Sequence, residues 1–134
     1  MKTNKKRKIY VVGRGNSYTN WMGGELVEKM KDADLVGFTG GEDVDPSVYK
    51  EPSNPRTFSN ITRDRREIFE FEQAFKLKKK MIGICRGAQL LCALAGGRLV
   101  QHQENPQHIH DIDTYDGLVI PITSSHHQAQ YPYM

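Results

Sequence analysis

The chain lacks most of the features that would take it outside ordinary globular chemistry. No apolar run approaches the roughly 18 residues that a membrane-spanning helix requires, so a membrane is not an expected partner. Only two cysteines occur among 134 residues. Cys85 and Cys92 are too far apart in sequence for a CxxC redox pair and match no zinc-ligand pattern. No signal-peptide pattern precedes the first strand-like run, and cytoplasmic residence is the default expectation. Net charge is only +3, and residues 1–8 hold Lys2, Lys5, Lys6, Arg7 and Lys8, so this stretch reads as a basic flexible tail. The remainder has no basic face interleaved with aromatics, which sets nucleic acid aside as a partner. Histidine is absent from the first hundred residues. His102, His108, His110, His126 and His127 all follow, and the His108-x-His110-Asp111 run has no partner at diagnostic spacing, so neither a metal nor a cofactor is expected.

What remains is a soluble-type composition, 37% hydrophobic and 26% charged, long enough for one core spanning residues 9–134. Short apolar runs at 8–13, 34–39 and 81–85 read as buried strands. Residues 24–31 predict a short helix with Leu26, Val27 and Met30 on one face. A Gly13-x-Gly15 pair follows the first strand, but Tyr18 stands where a dinucleotide fingerprint needs glycine, so this segment reads as loop. Residues 50–60 are rich in Pro, Ser and Asn and also predict loop. A long amphipathic helix is expected over 62–79, capped by Thr62, with Ile68, Phe71, Ala74 and Phe75 inward and a Glu72–Lys76 pair outside. A second helix follows Cys85, carries Cys92 on its apolar face, and stops at Gly96-Gly97. Short strands are expected at 98–102 and at 117–124, the latter at an edge because of Pro121. Strands alternating with helices predict an α/β three-layer sandwich: a mainly parallel, flavodoxin-like sheet with helices on both faces. In such sheets the site lies beyond the carboxyl ends of the strands.

The most informative stretch is Gly83-Ile-Cys85-Arg-Gly87 at a strand-to-helix junction. This is the cysteine form of a nucleophile elbow. A tight turn forces the central residue into a strained conformation, and the flanking glycines remove side chains that would collide. The sulfur then stands over the free amides at a helix start, where a thiolate is favoured. An isolated cysteine more often reads as core; the two glycines shift the balance toward a nucleophile. Gly40-Gly41 ends another strand and can present bare backbone amides to an oxyanion, although alone it reads as an ordinary turn.

Five ordered segments carry a resemblance. Phe38-Thr-Gly-Gly-Glu-Asp-Val-Asp-Pro-Ser-Val-Tyr49, Arg63-Asp-Arg-Arg-Glu67, Gly83-Ile-Cys-Arg-Gly-Ala-Gln-Leu-Leu91, Gly96-Gly-Arg-Leu-Val-Gln-His102 and Ser125-His-His-Gln-Ala129 together resemble the class I glutamine amidotransferase superfamily. Within it the best match is the gamma-glutamyl hydrolase branch, which includes gamma-glutamyl-gamma-aminobutyrate hydrolases. The resemblance implies that Cys85 attacks a small-molecule gamma-glutamyl amide to form a thioester, with the amides of Gly41 and Arg86 as oxyanion hole. It implies that Gly40, Gln89 and His127 lie near the substrate. Asp43 and Asp45 match an acidic loop that either steers an amine-bearing substrate or caps the loop itself. The family takes its catalytic His and Glu from a His-Pro-x-Glu segment, and no His-Pro dipeptide occurs here. The chain therefore reads as C-terminally short against the family. His126 and His127 are candidates for a substitute base, with a substrate-contact or structural role the favoured alternative, and a homo-oligomer or a separate partner subunit is a candidate cover for exposed sheet. The alternative is a shortened, non-catalytic member of the same fold that binds a ligand or partner.

Overall fold

Three apolar runs form the centre of a parallel sheet. In the computed structural model, residues 5–13, 23–52, 57–100, 109–113, 116–123 and 129–131 are described. Strands β1 (Arg7–Val12), β2 (Gly24–Leu26), β3 (Leu35–Phe38) and β4 (Lys80–Gly83) pair in the order β2-β1-β3-β4, all parallel. The register runs Ile9↔Leu35 to Val12↔Phe38 and Leu35↔Lys80 to Phe38↔Gly83. This is the flavodoxin-like order, in which chain direction across the sheet reverses between β1 and β3 and leaves a crevice at their carboxyl ends. Buried on both faces, β3 reads as a continuous apolar stretch rather than as an alternation.

Helix α1 (Ile61–Lys76) and helix α2 (Arg86–Leu94) supply the rest of the core. Val12, Met30, Val36, Phe38, Val44, Ala74, Leu90, Ala93 and Leu99 form one buried cluster, with Ile68, Phe71 and Cys92 packed against it. Helix α2 ends at Leu94 with Ala95 as its cap, and Gly96 takes φ 90°, the left-handed stop that the Gly96-Gly97 pair predicts. Among the described residues no helix is long and apolar enough to cross a membrane.

Several expectations give way. Residues 24–31 do not form a helix: Gly24–Leu26 is β2, followed by a 3-10 turn at Met30–Asp32. A Cβ at position 24 would strike the Ile9 side chain and the Arg7 carbonyl, so this glycine lets β2 lie beside β1. Helix α1 is capped by Asn60, whose side chain accepts from the Arg63 amide at 3.1 Å, rather than by Thr62. It also ends three residues early. Lys78 adopts φ 54°, and Lys79 turns its ammonium onto the carbonyls of Lys31 and Ala33. Phe75 is 71% exposed and stacks on Phe71 instead of entering the core. Glu72 and Lys76 lie exposed on that helix.

At the amino end β1 begins at Arg7, so the last two residues of the expected tail belong to the sheet, where the Lys8 amide donates to Asp34. The later strands pair apart from the parallel sheet. Strands β5 (Arg98–Val100) and β8 (Ala129–Tyr131) pair antiparallel, as do β6 (Ile109–Asp113) and β7 (Val119–Thr123). Of the His108-x-His110-Asp111 run, His110 and Asp111 lie on β6, opposite Ile122 and Pro121. Pro121 pairs within that two-stranded ribbon, a position where its missing N–H is tolerated.

Candidate active site

Cys85 sits between β4 and α2 with φ 54° and ψ −118°, a conformation that costs a non-glycine residue of the order of 1–3 kcal/mol. It is exposed, while the residues around it are not. Both flanking glycines are required by space. A Cβ on Gly83 would run into the backbone of Gly87 and Ala88, and one on Gly87 would run into the Phe38 carbonyl. The first turn of α2 thus rests directly on the end of β3. Pairing continues into the loops, with the Ile84 amide on the Phe38 carbonyl at 3.0 Å and the Thr39 amide on Val12 at 3.1 Å. Cys85 and the Gly40-Gly41 turn therefore leave adjacent strands at the same end of the sheet.

Within α2, the Gly87 amide donates to Ile84 and the Gln89 amide to the Cys85 carbonyl. Arg86 is the first helical residue, where an amide has no intrahelical acceptor. Gln89 is largely buried, four residues after the cysteine. Gly41 is exposed at φ 152°, and a side chain there would occupy the place of the Arg63 guanidinium.

The family resemblance implicates Arg86 only through its backbone amide. Its side chain is the largest fully buried one among the described residues, 1% exposed. The guanidinium is paired with Asp64 and Glu67, both buried on α1. Glu67 is shared with Arg63, whose Nε lies 3.4 Å away. Arg63 in turn donates to the Gly40 carbonyl at 2.9 Å and to Glu42 at 3.1 Å. Asp64 also accepts from the Asp45 amide at 2.9 Å. Burial pushes the Asp64 carboxyl above its usual value, opposed by the Asp45 amide and by Arg86. Glu42 is held below its usual value by its own backbone N–H, and Arg63 adds to this against burial. A signal for this network existed in the sequence. Asp64 and Glu67 extend the inward stripe of Ile68, Phe71 and Ala74 by helical spacing, so carboxylates at core positions called for a buried cation.

Asp43 and Asp45 cap the loop. Asp43 accepts from the Phe58 amide, and Asp45 accepts from the Ser47 amide and the Ser59 hydroxyl. Asp45 caps the 3-10 turn Pro46–Tyr49. His102, His108, His126 and His127 lie outside the described residues, as does the Gly15–Tyr18 segment.

A strained, exposed cysteine between obligatory glycines, at the carboxyl edge of a flavodoxin-like sheet, defines a class of α/β proteins built around a cysteine elbow. The chain belongs to the Peptidase C26 family, which is class I glutamine amidotransferase-like; the family pattern matches residues 16–131. It is similar to protein NtpR of Enterococcus hirae, with 31% identity over 72% of this chain and 50% of that protein. It is also similar to a Lactococcus lactis protein named "Putative glutamine amidotransferase-like protein YvdE", 41% identical over 51% of this chain and 29% of the relative. A Mycobacterium tuberculosis protein named "Putative glutamine amidotransferase" is 39% identical over 48% of this chain and 21% of its own length. The chain spans about half the length, or less, of these curated relatives.

Proposed function

We propose that the protein hydrolyses gamma-glutamyl amides through a thioester on Cys85. The observation that carries this reading is the backbone of Cys85 itself, held at φ 54° between two glycines that no other residue could replace without clash. Strain of this kind persists only where the surrounding structure over-determines it, and it gathers at reactive positions. In the reaction the thiolate attacks the gamma-carbonyl carbon and the C=O electrons move onto oxygen. The amides of Gly41 and Arg86 donate to that oxyanion. The oxyanion collapses, the C–N bond breaks and the amine leaves with a proton. Water then attacks the thioester carbonyl, releasing glutamate and regenerating the thiol. A base must take the thiol proton, and His126 and His127 are the candidates. Gly40, Gln89 and His127 are assigned to the wall of the substrate site.

Family membership and relatives named as glutamine amidotransferases support an amide of glutamate as substrate. Purified protein given glutamine or a gamma-glutamyl anilide should release glutamate, and Cys85→Ala should release none. Equal release by the two proteins would remove Cys85 from the chemistry.

A further inference from the structure

The geometry points to Arg63 as a positioning residue that aims the Gly41 amide; this inference rests on the oxyanion-hole reading above. A peptide unit is planar and trans, so its carbonyl and its N–H point in opposite directions. The carbonyl of Gly40 and the N–H of Gly41 belong to one such unit. Arg63 Nη2 holds that carbonyl at 2.9 Å. Fixing the oxygen fixes the opposite direction for the amide hydrogen.

The grip on this turn is built from several sides. Arg63 Nη1 reaches Glu42 at 3.1 Å, one residue past the glycines, and Nε reaches Glu67 at 3.4 Å. The guanidinium occupies the space that a side chain at Gly41 would need and lies 3.2 Å from the Cβ position of Gly13. Its side chain is only 13% exposed. Glu67 carries the same grip onward to Arg86, the residue after the nucleophile. Two oxyanion donors, one in the turn after β3 and one at the start of α2, are thereby referred to one carboxylate on α1. Glycine at 40 and 41 would otherwise leave this peptide free to rotate, since neither residue has a side chain to restrict it. A preorganised donor acts only if its direction is set before the oxyanion forms.

The test compares two reagents on the full chain. A glutamine-like chloroketone must place its carbonyl in the oxyanion hole to react well; iodoacetamide needs only an accessible thiol. In Arg63→Met the chloroketone rate at Cys85 is expected to fall about 10- to 100-fold, below the loss seen when an oxyanion donor is removed outright. The iodoacetamide rate should stay within about twofold of wild type, because it reports the elbow alone. Arg63→Lys, which keeps a donor for the Gly40 carbonyl, should recover part of the chloroketone rate. If Arg63→Met does not melt cooperatively, Arg63→Lys carries the test by the same ratio of rates. A chloroketone rate unchanged in the variants, or both rates falling together, would overturn the role of Arg63. Absence of chloroketone labelling in wild type would instead overturn the Cys85 reading, and this inference with it.

Discussion

Gly87→Ala separates the packing account from simple helix propensity, because the two predict opposite signs. Taken alone, alanine in a helix is better than glycine by about 1 kcal/mol, so the substitution should stabilise α2. In the fold, the new methyl would lie closer than 3.0 Å to the Phe38 carbonyl and at 3.0 Å from its Cβ. Both neighbours are anchored, since Phe38 is 1% exposed and its carbonyl accepts from Ile84. The helix must therefore retreat from β3 by about 1 Å to restore normal contact, an overpacking that costs about 1–3 kcal/mol. For a domain of this size that is a fall of roughly 3–12 °C in melting midpoint. The same retreat carries Cys85 and the Arg86 amide away from the Gly40-Gly41 turn. A displacement of about 1 Å at a reacting centre costs on the order of 100-fold in rate. Calorimetry and chloroketone labelling of the variant measure both effects. A raised midpoint together with unchanged labelling would show that α2 does not rest on β3, and the elbow geometry would fall with it.

Other consequences follow from the ion network and the caps. Arg86→Met leaves Asp64 buried without its cation and Glu67 with Arg63 alone, and should cost about 3–5 kcal/mol in urea unfolding at pH 7. The Asp64 carboxyl, already raised by burial, then loses the opposing pull of Arg86, so the deficit should shrink as pH falls from neutrality through that raised folded-state value. Asp45 is held below its ordinary value of 3.8 by hydrogen bonds from the Ser47 side chain and amide and from Ser59. Its contribution is complete above that value and is lost as pH falls through the lower folded value, so amide exchange in the 43–49 loop should accelerate below about pH 4. Asn60→Ala removes the cap on the Arg63 amide and should cost about 1 kcal/mol in thermal unfolding.

The parallel sheet was legible because its strands are short apolar runs bounded by glycine, and the elbow was legible because Gly83 and Gly87 frame Cys85. What escaped was set by partners distant in sequence. Gly24 reads as a helix start until Ile9 is seen beside it. Phe75 falls on the apolar stripe of α1, yet the helix ends one residue later and the ring finds Phe71 rather than the core. The Arg86 side chain has no role in the sequence pattern, where only its amide is named; Asp64 and Glu67, some twenty residues earlier, explain its burial. Local pattern specifies where an element lies, whereas a buried charge is specified by the carboxylates that fold onto it.

The central claim is that Cys85 carries the gamma-glutamyl group. Wild-type protein mixed with a gamma-glutamyl anilide and quenched in acid should show a glutamyl adduct by peptide mass mapping. The adduct should sit on the peptide bearing Cys85, be lost on hydroxylamine treatment, and be absent from Cys92 and from Cys85→Ala. An adduct on another residue, or anilide cleavage by Cys85→Ala at the wild-type rate, would contradict the account.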